Sequence, residues 1–250
     1  MNYTDQMQHT IELPARPRRI ISIVPSQTEL LYELGLDMEV VGVTKFCVHP
    51  ESWFRNKTRI GGTKTLNLEK IISLQPDLIL ANKEENDAAQ VDALRKLFPV
   101  WVSDIKTLDD ALSMISSVGA ITGKGPVAEK MVTKIRGNFN ALPRKEELPT
   151  AVYLVWNNPY MCAGTDTFIH EMMHYCGLRN CIGQERYPNI SVEELAELKP
   201  EYIILSSEPF PFKKQHAEAL MSKLPGTKVL LADGEMFSWY GSRLCKAPAY

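Results

Sequence analysis

No stretch of this 250-residue chain approaches the roughly 18–20 consecutive apolar residues that a membrane-spanning helix needs. No block of one charge sign dominates: 28 Lys and Arg against 30 Asp and Glu leave a formal net charge of −2. That balance gives no global pull towards nucleic acid or an anionic membrane. The first ten residues are polar and lack the apolar core of a secretory signal. The sequence as given therefore reads as cytoplasmic, or as periplasmic or surface-anchored if a signal has been removed. Cysteine is sparse. Cys47, Cys162, Cys176, Cys181 and Cys245 are an odd number in a chain too long to need disulfide staples, which favours a reducing compartment. Phosphate-cradling loops are missing too, since Gly61-Gly62 and Gly123-Lys124-Gly125 lack the spacing, and Ser26 has no elbow glycines to make it a nucleophile.

What is present is a long repeat. Leu66–Leu80 carries Asn67, Glu69, Leu74, Pro76 and Asp77 ahead of an apolar run, and 124 residues later Ser191, Glu193, Leu198, Pro200 and Glu201 precede another. Each copy reads as a polar cap, an acidic first turn, a short helix, Leu-x-Pro-acid and a buried strand. A period of half the chain, present twice, predicts two similar lobes, with a ligand cleft expected between them.

The rest of the pattern is α/β. Arg19–Val24 predicts a buried strand ended by Pro25, and Ser26 with Glu29 reads as a capping box opening a helix that Gly35 closes. Val40–Val43, Leu78–Ala81 and Val100–Val102 predict strands, and Leu68–Leu74 and Ala88–Leu97 predict helices. From Leu108 to Leu142 the pattern is helical without a strand, interrupted at Gly123-Lys124-Gly125-Pro126. Alternation resumes with strands at Ala151–Trp156, Tyr202–Leu205 and Lys228–Leu231 and helices at Thr167–Cys176, Val192–Leu198 and Lys214–Leu224. The expected division is an α/β lobe over 1–107, a helical midsection over 108–148 with the interlobe backbone helix, and a second α/β lobe over 149–250.

His170-Glu171-Met172-Met173-His174 matches H-E-x-x-H, two imidazoles one turn apart with a glutamate as potential base. Gly177 continues the longer zinc-protease pattern, but its third histidine position holds Asn180. Aligning Gly35-Leu36 with Gly177-Leu178 lays this stretch over Thr28–Tyr32, an ordinary helix of the repeated scaffold, with Phe168, Ile169, Met172, Met173 and Cys176 supplying core contacts. A zinc-dependent hydrolase using His170, Glu171 and His174 stays as the alternative of another class. Cys47 and His49 are two metal-ligand types with no third nearby, so a loop-packing role is expected for them.

Pro17–Ser26, Glu29-Leu30, Gly35, Val41–Thr44, Gly61-Gly62, Asn67–Glu69, Leu74-x-Pro76–Ile79 and the terminal Gly241-Ser242-Arg243-Leu244 together resemble class III periplasmic binding proteins, which receive cobalamin, ferric siderophores or haem for ABC importers. The resemblance runs from about residue 11 to 245, is nearest to the cobalamin-binding branch, and rests on the order and spacing of modest motifs. It implies two Rossmann-like α/β lobes joined by one long backbone helix, and a monomeric binding protein without enzymatic activity or cofactor. The ligand it implies is a metal-containing macrocycle, a corrinoid first and a ferric siderophore or haem second. It implies an importer permease as partner if the chain is exported, and neither nucleic-acid binding nor membrane insertion. It also implies that Glu69 and Glu193 dock onto permease arginines, against the plain alternative that both only favour their helix dipoles.

Ligand candidates lie in loops after strands: Phe46, Thr63 with its neighbours from Gly61, and Lys83–Asn86 in the first half, then Trp156, Tyr160, Tyr187 and Phe210 in the second. The C-terminal stretch adds Phe237, Trp239, Tyr240 and Arg243. Aromatic faces suit a large flat macrocycle. Two departures from the cobalamin binders bear on the ligand: Thr63 stands where they carry a tryptophan, and Trp239 aligns with an arginine, whereas Tyr187 keeps an aromatic at its position.

Overall fold

The computed structural model describes residues 1–143 and 146–250. A short antiparallel ladder, β1 (Asn2–Thr4) with β2 (Thr10–Glu12), opens the chain. The first α/β series follows as β3 (Ile20–Ser22), α1 (Pro25–Glu33), β4 (Val40–Val43), α2 (Glu51–Asn56), β5 (Thr58–Arg59), α3 (Leu68–Ser73), β6 (Leu78–Asn82), α4 (Ala88–Arg95) and β7 (Val100–Ser103). Two long helices come next, α5 (Leu108–Thr122) and α6 (Gly125–Asn140), parted at the interruption expected from Gly123 and Pro126. The second series is β8 (Thr150–Trp156), β9 (Met161–Cys162), α7 (Phe168–Tyr175), β10 (Arg179–Asn180), α8 (Val192–Leu198), β11 (Tyr202–Ser206), α9 (Lys214–Lys223), β12 (Lys228–Ala232) and α10 (Glu235–Ser238), closed by 3-10 turns at Ser242–Cys245 and Ala247–Ala249.

The chain divides into two compact units. Unit 1 comprises Met1–Ile105, Asp109–Arg136 and Tyr240–Cys245, and unit 2 comprises Lys106–Leu108, Gly137–Trp239 and Lys246–Tyr250. Helix α6 thus begins in unit 1 and ends in unit 2. The short return of Tyr240–Cys245 to unit 1 has no counterpart in the sequence pattern, because it is decided by contacts over 200 residues apart in sequence, such as Arg243 with Glu29.

The sheets carry the repeat. Unit 1 orders its parallel strands β5-β4-β3-β6-β7, and unit 2 orders β10-β8-β11-β12, with β9 antiparallel beside β8. Pairing the halves by the repeat, β4 answers to β10, β3 to β8, β6 to β11 and β7 to β12. Strands β3, β6 and β7 are buried throughout, and β8 is buried from Ala151 to Val155, the continuous apolar pattern of a sheet covered on both faces. The backbone repeats as well. Gly35 and Gly177 leave α1 and α7 at φ of 72° and 71°, a left-handed position that glycine adopts at little cost. Gln75 and Lys199, both just before the repeated proline, stand at φ of 45° without being glycine.

The acid after that proline has a defined task. Asp77 accepts the Arg18 N–H at 2.7 Å and the Arg19 N–H at 2.8 Å, just ahead of β3. Glu201 accepts the Thr150 N–H at 3.0 Å, at the start of β8. Each repeated segment therefore satisfies otherwise orphaned donors at the root of the first strand in its own sheet.

One expectation is corrected. Ser26 does not cap α1: the helix starts at Pro25, its N-cap is Val24, and no side chain caps it. Proline at the first helical position has φ preset and no N–H to satisfy, so the helix begins earlier than the Ser-x-x-Glu spacing requires. Ser26 is buried inside the first turn, and Glu29 turns to Arg243 instead. Side-chain caps stand at Asn67, Asp87, Thr167 and Ser191, with a full capping box between Ser191 and Glu194. The Ser191 N–H and Oγ–H both donate to the Glu194 carboxyl, at 2.7 and 2.8 Å, and hold it below its usual range.

Candidate functional site

In an open parallel sheet, ligands meet the carboxyl ends of the strands, above all where the strand order reverses. In unit 1 that reversal falls between β3 and β6. Asn86 occupies it, buried, with Nδ2 donating to the Ile23 carbonyl at 3.1 Å and to the Thr63 carbonyl at 3.0 Å, while Oδ1 accepts the Asn82 N–H at 2.8 Å. Asn82 in turn accepts the N–H groups of Glu84 and Glu85 and donates to Ser103, which also receives Gln27. The turn before α3 is tight: Gly61 has φ of 107°, and Gly62 donates its N–H to the Thr65 carbonyl. Thr63 is half-buried there. Phe46 is 51% exposed after β4, with the Lys45 ammonium 5.0 Å from its ring centroid.

In unit 2 the reversal falls between β8 and β11. Trp156, at the end of β8, is 42% exposed, and its ring centroid lies 5.8 Å from that of Phe210 in an edge-on arrangement. Phe210 also meets Phe212 at 4.8 Å and His216 at 5.3 Å. Tyr160 packs half-buried against the core of this unit, and Tyr187 is half-buried under the Arg186 guanidinium, 6.0 Å from its ring centroid. The structure thus brings Trp156 and Phe210 together, and His216 joins them without any signal in the sequence pattern.

The C-terminal candidates are not laid open. Phe237 is buried and packs on Tyr153 at 5.0 Å. Trp239 is buried and donates Nε1–H to Glu208 at 2.9 Å, an oxygen that Ser238 also reaches at 2.6 Å. Burial, with Glu235 and Asp233 nearby, pushes the Glu208 carboxyl above its ordinary range. Tyr240 is buried and donates its hydroxyl to Glu85 at 2.5 Å, and burial holds that phenol well above its ordinary pKa. Arg243 forks onto both oxygens of Glu29 at 3.0 and 2.9 Å.

Glu69 and Glu193 are both exposed at the second residue of their helices, α3 and α8. The His-Glu-Met-Met-His stretch forms α7, as expected for a scaffold helix. Phe168, Ile169, Met172 and Met173 are buried, but Cys176, the C-cap residue expected among the core contacts, is exposed. His170 contacts the Asn180 amide at 3.2 Å and His174 is exposed. Cys47 lies fully buried among the hydroxyls of Thr28 and Thr44, and burial pushes its thiol up. Among the described residues no group of three His, Cys, Asp or Glu side chains could hold a metal ion, and no helix is long and apolar enough to cross a membrane.

The chain matches the family pattern described as periplasmic binding protein over residues 20–229. It belongs to the periplasmic binding proteins. Among its relatives, a vitamin B12-binding protein of Vibrio campbellii is 27% identical over 195 residues, 76% of this chain and 70% of that protein. An uncharacterized ABC transporter substrate-binding lipoprotein of Bacillus subtilis, YvrC, is also 27% identical, over 80% of this chain and 67% of that one. In fold it resembles a periplasmic heme-binding protein of Pseudomonas aeruginosa, with a TM-score of 0.79, 22% identity, and 93% and 90% of the two chains covered. The class III fold and the role of substrate-binding protein for an ABC importer follow. A periplasmic binding protein carries solute rather than transforming it, so the zinc-hydrolase alternative falls.

Proposed function

We propose that this periplasmic binding protein captures a metal-containing macrocycle, a corrinoid first. The observation that carries the reading is the aromatic pair at the strand-order reversal of unit 2, an exposed Trp156 edge-on to a half-buried Phe210. A flat ligand with a polarisable face gains contact area there at low entropic cost. The name of the Vibrio campbellii relative favours a corrinoid, and the names of solved heme-binding proteins of the same fold keep haem as the second reading. Tyr160 and Tyr187 are further ligand candidates of unit 2 in this proposal, and Phe46 and Thr63 are those of unit 1. The buried Phe237, Trp239, Tyr240 and Arg243 take part by shaping the loops around them.

Glu69 and Glu193 are proposed to meet basic residues of the importer permease, since two exposed carboxylates at matched helix positions give orientation and steering. This assigns the protein a place outside the cytoplasmic membrane. Calorimetric titration with cyanocobalamin, haemin and a ferric hydroxamate separates the readings. The expected result is one-to-one saturation by the corrinoid at micromolar concentration or below. No heat and no spectral change at tens of micromolar corrinoid removes that proposal, and saturation by haemin alone replaces it with the second.

A further inference from the structure

The repeat supplies an internal control. Moving 124 residues along, Asn82 corresponds to Ser206, Glu84 to Glu208 and Asn86 to Phe210. The turn geometry is kept, because Ser206 Oγ accepts the Glu208 N–H as Asn82 Oδ1 accepts that of Glu84. What differs is the residue at the strand-order reversal. Unit 2 places a partly exposed aromatic ring there and unit 1 a buried carboxamide. The scaffold end of the repeat is conserved between the halves, and this end has diverged.

Two carbonyl acceptors, Ile23 and Thr63, and one N–H donor, that of Asn82, surround the Asn86 side chain. Only a group with both donors and an acceptor satisfies all three. A carboxylate has no donor and a hydroxyl has a single proton. The three partners sit on three separate segments: the turn from β3 into α1, the turn from β5 into α3, and the start of the turn from β6 into α4. Gln90 strengthens the middle link by accepting the Leu66 N–H at 2.7 Å and donating to the Lys64 carbonyl at 2.8 Å. The Tyr240–Glu85 hydrogen bond fixes the last turn from its other side.

We propose that Asn86 is a positioning residue for ligand capture: its carboxamide locks three turns of unit 1 into one preset surface, so that ligand meets a formed site rather than ordering it. This rests on the reading of unit 1's strand ends as part of the binding surface. Loops that must first be ordered tax affinity by the fraction of molecules already competent. Without the staple, turns 62–66 and 83–87 move independently and that fraction falls. The signature is a slower association rate with little change in dissociation, because no ligand contact has been removed.

The test is Asn86→Ala and Asn86→Asp in the full chain, read by hydrogen exchange and by stopped-flow binding of whichever of cyanocobalamin, haemin and the ferric hydroxamate the unaltered protein takes up. The expected result is faster exchange confined to residues 62–66 and 82–87, with about tenfold slower association and dissociation within twofold. Exchange raised alike across unit 1, affinity within twofold of the unaltered protein, or a loss lying wholly in dissociation would overturn the proposal. If the variants do not fold, exchange in the unaltered protein decides. A shared protection level for the two turns supports the staple, and independent exchange contradicts it. Should none of the three ligands bind, the functional reading fails by itself and the exchange result still judges the staple.

Discussion

Arg243 shows how a partner far away in sequence decides what a side chain does. The family-like terminal motif singles out the arginine, but Glu29 lies 214 residues earlier and nothing local pairs them. Both side chains are about nine-tenths buried, at 9% and 11% exposure, and the two parallel hydrogen bonds are what keep two desolvated charges tolerable. Removing one partner leaves the other charge buried and unpaired. Arg243→Ala should therefore cost about 3–5 kcal/mol in urea unfolding, and pairing Arg243→Met with Glu29→Leu should recover most of that loss. A single-variant cost below about 1 kcal/mol would mean that water reaches the pair. Separation along the chain likewise hides the pairing of Glu208 with Trp239, 31 residues apart, and of Glu85 with Tyr240, 155 apart. Their aromatic partners are visible in the sequence as a cluster, but their burial is not.

At the scale of elements, the repeated helix–proline–acid segment is the best-determined part of the chain, because every signal in it is local: a cap, an acidic first turn, a proline stop and an apolar strand. Its acid serves the neighbouring strand, which the sequence pattern leaves unsaid. Asp77 holds two backbone donors and Glu201 one, at the same place in each sheet. Asp77→Ala should cost about 2 kcal/mol and Glu201→Ala about 1, by the loss of charge-assisted bonds to backbone N–H groups at partly exposed sites. Equal effects, or none, measured by chemical denaturation would contradict this division. The pieces that escaped the sequence are short. Strands β5, β9 and β10 have two residues each and β1 and β2 three, too few for an alternation to register, and the ladder partners alone define them.

For the molecule as a whole, duplication gives a common scaffold, and function follows from where the copies differ. The two sheets share strand order, left-handed exits and anchoring acids, so α/β class and repetition were legible from one sequence. Side-chain choice at the strand ends was legible only as a set of candidates. Whether an aromatic there is exposed, like Trp156 and Phe46, or buried, like Phe237 and Trp239, depends on packing between elements distant in sequence. That contrast makes a direct test available. Of the four tryptophans, Trp53 and Trp101 are 1% exposed, Trp239 is 6% exposed, and Trp156 alone is open at 42%. Titrating cyanocobalamin against intrinsic fluorescence, in the unaltered protein and in Trp156→Phe, reads the proposed surface itself. Saturable one-to-one quenching is expected, largely lost and with binding weakened by about fivefold when Trp156 is replaced. Absence of quenching, or quenching and affinity unchanged in Trp156→Phe, would contradict it.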